Sequence, residues 1–538
     1  MVVASKQSAP SAPTWGRHAL QAFAERLIRR LPDWVCDELK IYVLAHGTIA
    51  WGSGCSGTDS PYFAWCALAA ALKAALNIDL RVIHVCSAER SKPERDWLNR
   101  YVFSRHNTSA VLFGDCFDLS RPRAADMTKP LSGTMPERIA HAAGGFQTVE
   151  VFAVLIALQW WFYGFSCKAV SSLCIHKEIA KSAASDIATS TGSTLQALYL
   201  FLDVLRGSGV ELAVILLENV PGIFLDAQHE LVLAELRCRG YAGVARLGSA
   251  IVFGPPQDRK RVWFALVPQR LLDDCRCSFA EVEKHIDMLY ELLSAGHGPM
   301  QLSSFLMDDE HPLSERIYRE KMEDIIQRGD LDCDVETLAA NNVRSAAKCA
   351  SKGVDPTLPM KWVVEHRALF AHSKARSAWV GSAEQELCFP EWLLLPDRIR
   401  DLMDEAGIQF PHPVEQLAEF SQTKVAVGCG ALIPKARRWV AHLARELAGL
   451  EALWIQGIWI EPEADGDGDD IDEVAFWNEW PDRLSFDMAG NAFSAFVVVV
   501  WCLVMLCVLA FLHAADLRRQ RATRKRALRD LDWSSALD

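Results

Sequence analysis

From Ala492 to Leu512 the chain carries no charged side chain. About 20 consecutive apolar residues suffice to cross a bilayer as a helix. A helix that is apolar on every side has two places to go, a membrane or an interior enclosed by other elements, and hydropathy alone does not separate them. The run is followed by "LRRQRATRKR" (Leu517 to Arg526), a cationic flank of the kind found on the cytoplasmic side of a membrane anchor. The rest of the sequence must say which applies.

Residues 41 to 120 alternate short apolar strands with helical stretches. "IYVLAHGTIAWGSG" is followed by "SPYFAWCALAAALKAAL", "LRVIHVCSAE", a polar helix and "SAVLFGDCFDL". This rhythm predicts βαβ units and a parallel sheet. "TLQALYLFLDVLRGSG", "LAVILLEN" and "VARLGSAIVFGPPQDRKRVWFALVP" carry it to about residue 268, behind an N-terminal extension over 1–40. From Gln269 to about Gly430 the alternation gives way to charged helical patches and short tryptophan-bearing segments, a second and more irregular module. Regular helix-like sequence is expected again from Ile433 through "ARELAGLEALWIQGI", and the chain closes on a basic tail over 516–538.

No early apolar block precedes this pattern, so the expectation is an intracellular chain whose sixteen cysteines are mostly buried thiols. No Cys or His cluster has the spacing of a metal site. The formal net charge of −12 would repel a polyanion if spread evenly, but the charges are segregated. "EPEADGDGDDIDE" (Glu461 to Glu473) holds much of the excess acid, while "PPQDRKR" (Pro255 to Arg261) and the tail are basic.

Ligands of such sheets bind at the carboxyl ends of the strands. There the sequence offers "GSGCSGTDS" (Gly52 to Ser60), a glycine-rich turn, then Glu89 after the next strand and Asp115 in "FGDC" after the third. Each acid alone fits a helix cap or a solvated turn. Together they suit a nucleoside-containing cofactor, one carboxylate for a ribose diol and one for an adenine amino group.

"GFSCKAVSSL" (Gly164 to Leu173), "LLENVPGI" (Leu216 to Ile223) and "FGPPQDRKRVWF" (Phe253 to Phe264) follow in that order. With these residues the chain resembles the cytosine-5 DNA methyltransferases. Their ordered motifs are a glycine-containing cofactor loop, a ribose-binding Glu, a Gly-Asp pair, a Pro-Cys loop, Glu-Asn-Val and Gln-x-Arg-x-Arg. The last two stand here as Glu218, Asn219, Val220 and Gln257, Arg259, Arg261. "RELAGLEALWIQGI" (Arg445 to Ile458) resembles the ninth motif, with Ala448 in place of a common Thr. Gly490, Asn491, Ala492 and Phe493 fit the motif that opens the family's last helix. On this resemblance the apolar run is a buried helix beside the cofactor pocket; the alternative is a membrane anchor over 492–512.

The resemblance covers about 41–270 and 431–515. It implies a Rossmann-like α/β methyltransferase sheet with a smaller target-recognition domain in the variable region 271–430, where no base-reading residues transfer. It implies S-adenosylmethionine as cofactor, held by Cys55, Ser56, Gly57, Thr58, Glu89, Asp115, Cys116, Asn491 and Ala492. The expected partner is DNA in the nucleus, without a metal.

Cytosine C5 becomes nucleophilic only after addition at C6, the role implied for Cys167. Glu218 would hydrogen-bond N3 as a carboxyl group kept neutral by burial, and Arg259 and Arg261 would orient the base. The base must be flipped from the duplex, and the loop after Cys167 is polar enough to close over it.

The sequence departs from the family at Ser166 and Lys168, which replace Pro and Gln around the cysteine, and at Asp59 and Ser60, which stand where glycines are usual. Lys168 is expected to lower the thiol pKa. A tRNA methyltransferase sharing the chemistry, or a methyltransferase-like binding protein with a decayed loop, are the alternatives. The apolar segment "VEVFAVLIALQWWFYGF" before the cysteine is longer than one strand needs.

Overall fold

The computed structural model describes residues 17–103, 110–127, 147–167, 169–170, 184–295, 300, 305–307, 413–415, 429–430, 432, 438–440, 445–459 and 481–530. Lys168, most of the loop after Cys167, the acidic stretch 461–473 and most of the variable region lie outside them. The chain divides into two compact units. The larger comprises Gln21–Phe253, Arg259–His297 and Asn491–Asp538; the smaller comprises Met1–Leu20, Gly254–Asp258 and Gly298–Gly490.

Helices α1 (Arg17–Ile28) and α2 (Asp33–His46) lead into the alternation. It runs β1 (Thr48–Gly54), α3 (Ser60–Leu76), β2 (Arg81–Ala88), α4 (Lys92–Trp97), β3 (Val111–Phe113), β4 (Arg123–Asp126), β5 (Gln147–Glu150), α5 (Val151–Leu155) and β6 (Trp160–Gly164). It continues with α6 (Ser190–Gly207), β7 (Val214–Asn219), α7 (Gln228–Cys238) and β8 (Tyr241–Ser249). After β9 (Gln257–Asp258), which belongs to the smaller unit, the larger one resumes with β10 (Lys260–Pro268), α8 (Gln269–Cys275) and α9 (Phe279–Ser294).

Nine strands form one sheet in the order β5-β4-β3-β2-β1-β6-β7-β10-β8. Neighbours from β3 to β7 are parallel, and β10 runs antiparallel to both β7 and β8. This is the expected Rossmann-like α/β sheet. From β1 the chain proceeds outward through β2 and β3, then returns to the other side of β1 for β6 and β7.

The unexplained apolar segment resolves into the edge strand β5, the single turn α5 and the central strand β6, whose Trp160, Trp161, Phe162 and Tyr163 are all buried. A parallel central strand is covered on both faces and so reads as continuously apolar. Trp160 meets Trp65 of α3 edge to face at 5.0 Å, whereas Trp161 packs on Phe201 of α6 at 4.5 Å, which fixes the two helices to opposite faces. The neighbouring strand makes room: a Cβ on Gly52 would lie 2.8 Å from the Trp161 ring, and one on Gly54 2.6 Å from Tyr163.

The smaller unit holds β11 (Pro413–Glu415), β12 (Cys429–Gly430), β13 (Arg438–Val440), β14 (Arg445–Glu446) and α10 (Gly449–Ile455). The helix-like reading from Ile433 is corrected here. β13 lies between β11 and β14 in a small antiparallel sheet, and ladder pairing of its Trp and Val overrides the local helical pattern. Helix α10 starts at Gly449, where a Cβ would fall 2.1 Å from the carbonyl oxygen of Asp482 and whose N–H donates to Asp482 Oδ1 at 2.6 Å. Buried Glu451 accepts from the N–H groups of Ala448 and Met307, both at 2.7 Å. Thus Arg445–Ile458 groups with the smaller unit, while 491–515 groups with the sheet.

After α11 (Asp482–Asn491) the apolar run forms α12 (Ala495–Asp530), 36 residues long. By length and composition it could cross a bilayer, yet 94% of its most apolar window is buried within the protein. It packs against α2, α3, α8 and α9. Phe496 meets Phe23 of α1 at 5.2 Å, Trp501 meets Tyr290 at 5.1 Å, and Phe511 stacks on His285 at 4.6 Å. These contacts account for its hydropathy without lipid. Trp501 is fully buried, so Trp501→Ala is expected to cost about 3–5 kcal/mol. Urea unfolding in detergent-free buffer checks this; an unchanged midpoint would place the helix outside the protein core.

Candidate active site

The chain order of the parallel strands reverses between β1 and β6, and at such a switch point the connections leave a crevice above the carboxyl ends. The site residues expected from the sheet segments lie at that edge, on its loops or, for Glu218 and Arg261, near the ends of strands β7 and β10. Gly54 pairs in register with Tyr163, and Gly164 with Glu218, so the ends of β1, β6 and β7 are level.

On the first side, β1 turns into α3 through Cys55, Ser56, Gly57, Thr58 and Asp59. Cys55, Gly57 and Asp59 have φ of 52°, 57° and 58°, left-handed values that are least costly at Gly57. The Gly57 N–H donates to Glu89 Oε2 at 2.9 Å, while Glu89 Oε1 accepts from the Ser91 N–H at 2.8 Å. Burial raises the Glu89 carboxyl above its ordinary range against these two backbone hydrogen bonds. Asp115 does serve as a cap: its Oδ1 accepts from the Phe117 N–H at 3.0 Å, leaving Oδ2 at 3.7 Å from Arg90. Cys55 is half-buried and Cys116 buried. A hydrogen bond to Cys116, with burial, holds the Cys55 thiol well above its ordinary range.

The segment leading from α11 into α12 flanks this side. Ser60 Oγ donates to the Phe493 carbonyl at 2.7 Å, and Arg259 Nη2 donates to the Ala492 carbonyl at 2.8 Å. Asn491 Nδ2 reaches Glu94 at 3.5 Å, and the Asn491 carbonyl lies 3.7 Å from where a Cβ on Gly57 would be.

On the second side, Ser166 is held by the first turn of α6. Its N–H donates to Thr194 Oγ1 at 3.0 Å, its carbonyl accepts from Thr191 Oγ1 at 2.7 Å, and its hydroxyl meets Ser190 Oγ at 3.1 Å. Three side-chain contacts thus hold the residue before Cys167 in place. Asn219 Nδ2 donates to the Phe165 carbonyl at 2.8 Å, tying the end of β7 to the cysteine loop. A Cβ on Gly222 would come within 1.7 Å of the Val170 carbonyl oxygen, so the Glu-Asn-Val-Pro-Gly loop packs directly on the loop that carries Cys167.

Cys167 is exposed, and Arg261, Glu218 and Arg259 all act electrostatically on its thiol. Desolvation by surrounding protein raises the thiol above its ordinary value; Arg261 and Arg259 pull it down and Glu218 pushes it up. Glu218, 8% exposed, forms an ion pair with Arg261 Nε at 2.7 Å, but Oε1 has no aligned hydrogen-bond donor there. Arg259 is buried, and burial followed by Arg261 lowers its guanidinium to about 9.

The sequence reading missed a buried network below the cofactor loop. Asp59, fully buried, accepts from Ser53 Oγ at 2.8 Å and Ser87 Oγ at 2.7 Å, and lies 3.3 Å from His84 Nε2. Ser53 and Ser56 hydroxyls meet at 2.7 Å, and His84 stacks on Trp51 at 4.1 Å. The departure from glycine at Asp59 was the available signal, since an acid in a left-handed loop position needs partners. Burial raises Asp59 to about 7 and lowers His84 to about 3. Desolvation therefore favours the neutral form of both groups, and their contact is a hydrogen-bonding arrangement more than an ion pair.

The donor set fits S-adenosylmethionine. Glu89 and Asp115 at neighbouring strand ends would offer acceptor oxygens to a diol and an amino group, and the tight turn at Gly57 would let the ligand approach the backbone. Among the described residues no group of His, Cys, Asp or Glu is arranged to hold a metal ion.

No protein-family model and no curated protein sequence matches the chain. Among solved structures it is similar to the Dnmt2 methyltransferase of S. pombe, at 12% identity and a TM-score of 0.37, over 85% of this chain and 98% of that one. It is similar to the methyltransferase EhMeth of Entamoeba histolytica, at 11% identity and 0.37, over 85% and 98%. A mutant form of DNMT2 from Spodoptera frugiperda gives 12% identity and 0.36, over 85% and 99%.

Between the ordinary carboxyl value of 3.8 and about 7, folded Asp59 keeps a proton that the unfolded chain has lost, so it makes stability fall as pH rises. His84 acts oppositely between about 3 and 6.5, where the unfolded chain binds the extra proton. In Asp59→Asn only the first contribution disappears. Its stability relative to wild type is therefore expected to increase from pH 4 to pH 7 and then level off, measured by paired thermal melts. A difference that stays flat or shrinks over this range would mean that the buried Asp59–His84 pair retains no proton there.

Proposed function

We propose that the protein transfers a methyl group from S-adenosylmethionine to C5 of cytosine in DNA, through a covalent bond between Cys167 and C6 of a flipped base. The observation that carries this reading is the meeting of Cys167, Glu218 and Arg261 on one side of the switch point, with the carboxylate-bearing loops on the other. The bound cofactor supplies an electrophilic methyl group, which the cofactor-side loops aim at the base.

The remaining chemistry belongs to the chain. Cys167 Sγ adds to C6, and the electron pair of the C5–C6 double bond moves towards C5 and the N3 side of the ring. Glu218 hydrogen-bonds N3 on that face; its Oε1, already lacking an aligned donor, is free to turn to the base as Arg261 swings to the ring's oxygen. Arg259 stays buried on the Ala492 carbonyl and holds the Arg motif against the start of α12. Loss of the C5 proton and breaking of the S–C6 bond then restore the ring and the thiol. A duplex hides C6, so the target base must leave the stack to reach the thiol.

Incubation with S-adenosylmethionine and a duplex containing 5-fluorocytosine tests this, because fluorine at C5 blocks the final elimination. A covalent protein–DNA complex is expected for wild type, none for Cys167→Ser, and a rate at least about a hundredfold lower for Glu218→Gln. The raised thiol makes trapping accelerate with pH up to at least 9. Trapping of tRNA but not DNA would move the substrate to RNA, and no complex with either would leave a binding protein.

A further inference from the structure

Helix α12 outlasts the core that covers it. Residues from Ala495 to Leu512 are buried apart from the half-buried Phe511, whereas every residue from Arg521 to Arg526 is exposed. Between 518 and 529 the sequence carries seven cations and no acid. Arg518 is tied to Glu38 of α2 at 3.0 Å and Arg519 to Asp516 at 2.5 Å, which fixes the root of the projecting segment. Beyond the root, Arg521, Arg524, Lys525 and Arg526 form no ion pair among the described residues.

These four cations stand on a helix anchored by its own buried half, so their spacing is set in advance. From 518 to 526 the rise is about 12 Å. At about 100° per residue the cations point to several sides. Nothing from Gln520 to Arg526 is apolar and larger than Ala522. A helix that lies on a membrane needs a wide apolar face opposite its charges, and this segment has none. Cations on all sides suit an occupant with anionic walls around the helix, and in a chain of net charge −12 such a patch is the exception that a polyanion would find.

We infer that the exposed end of α12 is an interaction surface for the phosphate backbone of duplex DNA, gripping it without regard to sequence through Arg521, Arg524, Lys525 and Arg526. The inference rests on DNA being the substrate, and it adds a contact separate from the loops that perform the chemistry. Such contacts release counterions, each phosphate adding about 0.9 to the slope of log affinity against log salt.

The test compares wild type with the full-length variant R521Q/R524Q/K525Q/R526Q, binding a fluorescent 30-base-pair duplex in salt titrations without cofactor. Thermal melting checks that the fold is unchanged. The expected result is a slope shallower by about 3 and at least about tenfold weaker binding at low salt, with S-adenosylmethionine affinity unaltered. Equal slopes would overturn the inference. So would a variant that loses binding to phosphatidylserine-containing vesicles while keeping its DNA slope, since the segment would then serve a membrane. Because binding is read without catalysis, a shallower slope in a protein that never traps 5-fluorocytosine would uphold this surface and refute the proposed reaction.

Discussion

The structure depends on the reversal of chain order between β1 and β6. A strand followed by a helix and a parallel strand is wound with one hand, so two series that set off in opposite directions put their first helices on opposite faces. Trp160 against α3 and Trp161 against α6 show this split within a single strand. Neither helix can then cover the gap above the two strand ends. The backbone there turns through positive φ on the β1 side and is pinned by α6 hydroxyls on the β6 side. Chemistry can occur at this edge because the winding leaves it uncovered.

An apolar helix stabilises that edge from behind. The residues just before it, Ala492 and Phe493, accept hydrogen bonds from Arg259 and Ser60, so the entry to α12 joins the cofactor loop to the arginine motif. Burying a long helix on all sides demands uniform hydrophobicity, and the same requirement makes it resemble a membrane span. The distinction lies in what surrounds it. Aromatic rings of α1 and α9 and the faces of α2, α3 and α8 supply the apolar environment that lipid would otherwise give.

Much of this was legible in the sequence because strand rhythm and strand-end residues are local signals. β1 to β3 and β7 fall where alternation predicts, whereas β10 departs from the parallel pattern by running antiparallel to β7 and β8, and Glu89, Asp115, Cys167 and Glu218 lie at or just after strand ends by spacing alone. What the sequence hid are contacts between distant segments. The Trp-rich segment made sense only once β6 was seen to fill the space left by Gly52 and Gly54. β13 has a helical pattern and becomes a strand because β11 and β14 flank it. Ser166 looked like a loss of rigidity, while Ser190, Thr191 and Thr194, more than twenty residues away, restore it. Asp59 looked like a weakened glycine loop, and only its fold neighbours reveal a buried acid satisfied by serines.

The groups around Cys167 act on its thiol in opposite directions. Two guanidinium groups and one carboxylate surround Cys167, so the cluster holds more positive than negative charge. Burial makes this excess costly, and Arg259 shows the strain in its lowered pKa. Desolvation is the largest influence on the thiol and, with Glu218, raises it against the pull of the two arginines. In the proposed reaction, an entering pyrimidine would offer Glu218 a ring nitrogen and Arg261 a carbonyl and so separate this pair. The Glu218–Arg261 ion pair is thus the contact that binding of a base would have to break.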